Sequence, residues 1–226
     1  MSNLKTARLS VISTEGEAEM EKSVRQKRLK ATRTLDFALD DSETSKTTLG
    51  FWIYLMTDCI LFASLFATFM VLRGATAVGP SGQELFELPF VLAETMVLLL
   101  SSLASGLALL SAHAGQKANT LRWLAVTGLL GALFLGMELY EFQALLAEGH
   151  SWTRSAFLSS YFGLVGTHGL HIFVGLTWLL GTWLYIYKRG LGGRLMSRFT
   201  MFTMFWHFLD IVWIGIFTIV YLLGVI

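Results

Sequence analysis

The stretch LPFVLAETMVLLLSSLASGLALLS, residues 88–111, decides the fold class, because its twenty-four residues contain one charged side chain, Glu94. At 1.5 Å per residue a helix of this length reaches across a hydrocarbon core of about 30 Å, and it lacks the polar face that a helix at a soluble surface needs. Four more segments meet the same test: 49–72, 121–147, 157–187 and 199–226. The fourth in chain order, 157–187, is long enough that it must tilt or emerge from the lipid. Charge is correspondingly uneven: the chain of 226 residues is 54% hydrophobic and 15% charged, and residues 1–47 hold nine of its seventeen Lys and Arg and eight of its sixteen Asp and Glu. The expected fold is an all-α membrane protein, a five-transmembrane-helix bundle spanning 48–226, preceded by a polar, flexible tail at 1–47. The tail has no short apolar core followed by a small-residue cleavage site, so it is not expected to be removed as a secretory signal. Its mixed-charge stretch 15–33 has too few apolar residues to hold a helix before docking.

Orientation follows from the Lys and Arg count on each side. Fifteen fall in the tail, the second connection with the adjoining Arg122, and the fourth connection, against Arg73 and Arg154 opposite. The basic side is retained in the cytoplasm, so the amino terminus is expected inside and the carboxy terminus outward. Trp52, Trp123 and Trp183 lie near the expected helix ends, where indoles favour the headgroup region. Short connections make consecutive helices antiparallel neighbours, and Ser101, Ser105, Gly128, Gly131, Gly163 and Gly166 allow their backbones to approach. The single cysteine, Cys59, excludes an intrachain disulfide and a Cys-x-x-Cys metal site. No Gly-rich phosphate loop or basic, aromatic-interleaved patch supports a nucleotide or nucleic-acid partner, and no inverted repeat supports a transporter.

The chemistry lies in ionisable residues at membrane depth, each of which costs at least a few kcal/mol unless it faces the bundle and finds a partner. They are Asp58, Glu94, Glu138, Glu141, His168, His171, His207 and Asp210. Glu138/Glu141, His168/His171 and His207/Asp210 are i,i+3 pairs, which puts each pair on one helix face. Carboxylate and imidazole at this spacing are the materials of a bundle metal centre, but such centres use Glu-x-x-His on two helices, whereas here two of the three pairs join like residues. Depth adds a second objection. Glu138 lies about 25 Å from the cytoplasmic start of its helix and His171 about 24 Å from the cytoplasmic end of its own, whereas His207 is only about 12 Å from that side. A buried interhelical hydrogen-bond network is therefore favoured over a metal site. Asp58 has no basic residue in its own span, so it is weighed as a proton-exchanging acid against a hydrogen-bonded structural residue. Glu87 belongs to the outer interface, and Pro89 suits a first helical turn.

At this point the motifs resemble the subunit III family of haem-copper oxidases. Gly166-Thr-His168-Gly-Leu-His171 is similar to that family's Gly-x-His-Gly-Leu-His, and Phe205-Trp-His207-Phe-Leu-Asp210-Ile-Val-Trp213 is similar to its closing Trp-His-Phe-x-Asp-x-Val-Trp. Thr57-Asp58-Cys59-Ile60-Leu61-Phe62 resembles the segment that carries an intramembrane acid associated with proton uptake, usually Glu in the cytochrome c oxidases. Glu138-x-x-Glu141-Phe142 stands where Gln-x-x-Glu-Tyr is familiar, so Glu138 departs from the pattern, as does Glu94, which replaces a common Asn. The likeness covers about 49–224, lacks the two first helices of cytochrome c oxidase subunit III, and is strongest to the cytochrome o ubiquinol oxidase branch.

The resemblance implies a bacterial inner-membrane complex that oxidises ubiquinol, reduces oxygen to water and translocates protons. It implies that this chain is non-catalytic, with no cofactor or metal of its own. Haems and copper are expected in subunit I, its main contact, with other oxidase subunits and membrane lipids as further neighbours and phospholipids in the helix cleft. The chain's five histidines are fewer than the six ligands of the haem-copper core, and one cysteine cannot build the two-cysteine copper site of a cytochrome oxidase subunit II. Two alternatives stay open: the homologous subunit of a cytochrome c oxidase or nitric-oxide-reductase-like complex, and a membrane metalloprotein using Glu138, Glu141, His168 and His171.

Overall fold

The computed structural model describes residues 46–76 and 88–225. The tail with its mixed-charge stretch, Glu87 and Ile226 lie outside the described residues. Two units separate at Gly50 and Phe51. Of the first, only 46–50 are described, as the opening of a helix; the rest of this account concerns the second.

All regular structure among the described residues is helical: α1 (Lys46–Leu72), α2 (Leu88–His113), α3 (Lys117–Ala147), α4 (Ala156–Arg189) and α5 (Gly193–Ile216). α5 continues through a π-helical stretch, Phe217–Leu222, into a last turn, Leu223–Val225. Five helices are long and apolar enough to cross a membrane. Four match the expected limits to within four residues. The fifth starts at Gly193, six residues before expectation, because Arg194 and Arg198 make its opening polar without breaking it. A long cation in the first turns of a span can reach the headgroups. The shift moves His207 to about 21 Å from the start of its helix, nearly twice the depth expected from sequence.

The ends close by backbone chemistry. Gly115 and Gly149 adopt positive φ (71° and 80°) just past α2 and α3, and the following N–H groups of Gln116 and His150 donate back to Ser111 and Leu145 carbonyls. Only glycine takes this left-handed cap without strain. The Ser155 hydroxyl accepts from Leu158 N at 3.1 Å and caps α4.

α1 buries a single stripe, Leu55, Asp58, Phe62 and Phe69, and runs antiparallel along α4. Three ring contacts mark the track: Phe51 on Trp178 (6.2 Å), Phe62 on His171 (5.2 Å) and Phe69 on Phe157 (5.9 Å). On its other faces Thr57, Ser64 and Thr68 return their hydroxyls to their own helix backbone, which satisfies them without a second helix. α2 packs along α3 and α5, burying Ser101, Ala104, Ser105 and Ala108, a strip of small side chains that permits close approach. At the centre, the Trp206 indole of α5 fills a notch between Gly131 of α3 and Gly175 of α4, where a Cβ would lie 2.8 Å and 2.7 Å from the ring. Its N–H donates to Ser101 Oγ (3.2 Å), which donates to the Thr127 carbonyl (3.0 Å), tying α5 to α2 and α3. Gly163 has open space where a Cβ would be, so it is not the close-approach residue that its sequence context implied.

Candidate functional site: polar groups inside the bundle

The eight ionisable residues fall into three groups and one isolated ring. The first joins α1 to α4. His171 Nε2 stands 3.5 Å from Asp58 Oδ2, while His171 Nδ1 bonds the Thr167 carbonyl at 2.7 Å. That second bond fixes the ring, and with a proton on Nδ1 it leaves Nε2 to face the acid. Asp58 is buried, and its other polar neighbour is the Tyr54 phenol one turn earlier. The contact is an ion pair only when the ring is protonated, and Asp58 Oδ2 has no hydrogen-bond partner in the protein. A search confined to α1 could not find this partner, because it comes from α4, 113 positions along the chain.

The second group lies between α2, α3, α4 and the π-helical stretch. Glu94 and Glu138 are fully buried, and none of their four carboxyl oxygens has a protein hydrogen-bond partner. Glu138 lies against the α4 backbone, where a Cβ on Gly169 would be 2.6 Å from Oε1. Glu141 accepts from the Tyr221 hydroxyl at 2.9 Å, and Tyr221 is in turn 3.0 Å from the Tyr161 hydroxyl. The three carboxyls are close enough to act on one another electrostatically. Tyr221 lies in the π-helical stretch, so this bond ties that stretch to α3. Tyr161 and Tyr221 were not legible as site residues: aromatic residues near span ends read as interfacial anchors.

The third group joins α2 to α5. Ser102 Oγ is 2.6 Å from His207 Nδ1 and also bonds the Asp210 carboxyl. Serine, histidine and aspartate are thus together, but the acid meets the serine rather than the far ring nitrogen, so it does not orient the imidazole as a hydrolase triad requires. His207 is exposed on the bundle surface and is not part of a buried network as expected; its place on α5 turns it away from α4. His168 stands alone, fully buried and stacked on Trp213 at 5.2 Å, with Phe134 edge-on at 5.9 Å. Neither ring nitrogen has a protein partner. A network in which every buried acid and imidazole is satisfied by a neighbour is therefore only partly realised: Glu94, Glu138 and His168 have no such partner.

Of the three i,i+3 pairs only His207/Asp210 shares a hydrogen-bonding neighbour, Ser102, whereas His168 and His171 share the Phe62 ring alone. His168 and His171 diverge to α5 and α1, because 300° of rotation over three residues leaves a 60° offset that different helices fill. Among the described residues no group of three or more His, Cys, Asp or Glu is arranged to hold a metal ion. What the arrangement offers is proton sharing and helix registration.

These features define a membrane protein with five helices long and apolar enough to span, several of whose acids and imidazoles meet polar groups of a neighbouring helix. The family model described as cytochrome c oxidase subunit III matches residues 41–225, and the chain belongs to that family. It is 58% identical over 178 residues to the cytochrome bo(3) ubiquinol oxidase subunit 3 of Pseudomonas aeruginosa, covering 79% of this chain and 85% of that one. It is 46% identical over 178 residues to the cytochrome c oxidase subunit 3 of Bacillus sp. PS3, covering 79% and 86%. To the quinol oxidase subunit 3 of Bacillus subtilis it is 44% identical over 184 residues, covering 81% and 90%.

Proposed function

We propose that this chain is the third subunit of a cytochrome o-type ubiquinol oxidase, the complex that oxidises ubiquinol and reduces oxygen to water with proton translocation. The observation that carries the assignment is the 58% identity to a ubiquinol oxidase subunit over 178 residues, 79% of this chain. The chain supplies no redox centre; haems and copper belong to subunit I, against which it packs. It lies in a bacterial inner membrane with residues 1–47 cytoplasmic and the carboxy terminus outward. Asp58, paired with His171 in mid-span, supports proton uptake without being strictly required. A pocket between α4 and α5, lined by Trp178, Thr182, Tyr185, Leu195 and Arg198, combines an apolar wall with one cation at its rim and suits a phospholipid. Purification of the tagged chain in mild detergent tests the assignment. Haem-bearing subunits with a cytochrome o spectrum and ubiquinol oxidase activity should copurify, and recovery of the chain without any haem protein would refute it.

The 46% identity to a cytochrome c oxidase subunit favours a second reading, in which the donor is cytochrome c. Donor specificity of the purified complex separates the two. A membrane metalloprotein is disfavoured by the divergence of His168 from His171 and the burial of Glu138 against Gly169. Metal analysis of the isolated chain should return less than one iron, copper or zinc per molecule; one tightly held ion would reverse this.

A further inference from the structure

His207 is out of place for a residue facing lipid. It lies about 18 Å from the start of the Leu195–Leu222 span, near the midplane of a hydrocarbon layer about 30 Å thick. Its neighbours along the same helix face at i+4 and i+7, Ile211 and Ile214, are exposed as well (68% and 45%), so the three form one stripe. Among the described residues it is the one imidazole or carboxylate exposed in the middle of a span. The other mid-span acids and imidazoles are turned inward: Asp58, Glu94, Glu138 and His168 are buried, and Glu141, His171 and Asp210 are half-buried.

The local chemistry is half complete. Nδ1 of His207 is occupied by Ser102, whose hydroxyl is shared with Asp210, while the buried Oδ1 of Asp210 has no protein partner. A polar spot that needs one more hydrogen-bonding group, set in a ridge of isoleucines, fits another helix and not acyl chains, which can supply no such group.

We propose that the α5 face bearing His207, Ile211 and Ile214 is the docking face for a transmembrane helix of a neighbouring oxidase subunit. That helix presents a hydrogen-bonding side chain to the exposed ring of His207 at mid-membrane depth. This rests on the assignment to an oxidase complex and adds which face is covered and by what chemistry. The partner's apolar side chains fill the spaces between Ile211 and Ile214, and its polar group bonds His207 Nε2, the ring position that Ser102 leaves open. The stripe separates the two contributions: the isoleucines supply packing area, and the polar set fixes depth and register.

A photo-activatable crosslinking residue at position 211, and separately at Leu129 on the exposed face of α3, tests this in the intact membrane-embedded complex. Position 211 should crosslink to another oxidase subunit and position 129 should not. Crosslinking from 129 alone, a second copy of this chain as the product at 211, or only lipid adducts at 211 would each overturn the docking face. Copurification of haem proteins in the same preparations reports separately on the oxidase assignment: if they are absent, that assignment fails first. His207→Leu should raise the loss of this chain from the complex in detergent about tenfold, the effect of one membrane-buried polar contact, while His207→Gln restores retention. Equal retention of the Leu variant and the native chain would also refute the proposal.

Discussion

Gly169 shows how tightly single residues are specified inside this bundle. A methyl group there would come within 2.6 Å and 2.9 Å of the two Glu138 oxygens, so the buried carboxyl must shift to admit it. Gly169→Ala should therefore destabilise the subunit by about 1–3 kcal/mol, read as a lower thermal midpoint of its release from the complex. Gly169→Ala combined with Glu138→Ala should recover part of the loss; no recovery would place the clash elsewhere. The Asp58 prediction concerns function instead. Asp58→Asn keeps the shape of the side chain but removes the acid that faces His171 at 3.5 Å. The variant complex should assemble normally and start at a near-normal rate. It should then show weaker proton delivery or a shorter catalytic lifetime at high pH, where free protons are scarce. Unchanged turnover, pumping ratio and lifetime from about pH 6 to 9 would leave Asp58 a structural residue. All eight ionisable positions could be named from the chain, because a charge within an apolar run is visible on inspection. Their partners could not be named: Asp58 meets His171, and Glu141 meets Tyr221, across helices whose rotation depends on packing.

Between elements, the indole of Trp206 does what no pattern along one helix discloses. It enters the notch left by Gly131 and Gly175 and carries a hydrogen bond through Ser101 to the Thr127 carbonyl. That one ring brings the four small or hydroxylated residues together. A contrast between two glycines checks the point. Gly131→Ala would set a methyl 2.8 Å from the ring and should cost about 1–3 kcal/mol of bundle stability, whereas Gly163→Ala meets open space and should be neutral or gain up to about 1 kcal/mol in helix propensity. Equal losses in both, measured as resistance to denaturing detergent, would show that the notch is not a specific contact. The spans themselves were legible because lipid requires a run of about twenty apolar residues, a strong one-dimensional signal. The start of α5 was not: Arg194 and Arg198 look like a loop until helix capping and the reach of a long cation are considered. The π-helical stretch was equally hidden, since nothing in Phe-Thr-Ile-Val-Tyr-Leu distinguishes a widened turn from a regular one.

For the molecule as a whole, the unresolved quantity is the direction in which the bundle crosses the membrane, and the basic residues argue one way. The end that carries the α2–α3 and α4–α5 connections holds Lys117, Arg122, Lys188, Arg189, Arg194 and Arg198. The same end has an aromatic belt: Trp183 stacks on Tyr187 at 5.5 Å and donates to the Leu121 carbonyl, and the Arg189 guanidinium lies over the Tyr185 ring. Lys117 Nζ donates to the Tyr187 carbonyl at 3.0 Å, which closes the α3 and α4 ends onto each other. The opposite end has one long described connection, 148–155, with Arg154 as its only Lys or Arg. Cations are retained on the side where insertion begins and where anionic lipids concentrate, so fifteen against two in the sequence favours one direction. Residues 1–47 and 188–198 should be cytoplasmic, and the 148–154 connection should face outward. The natural cysteine, Cys59, is exposed on α1 within the membrane, so replacing it with serine gives a clean background for single cysteines. In that background a membrane-impermeant thiol reagent should label position 150 in intact cells with the outer barrier opened, and should label position 190 only after the inner membrane is broken. The reverse order at both positions would invert the bundle, moving the Lys- and Arg-rich end to the outer side.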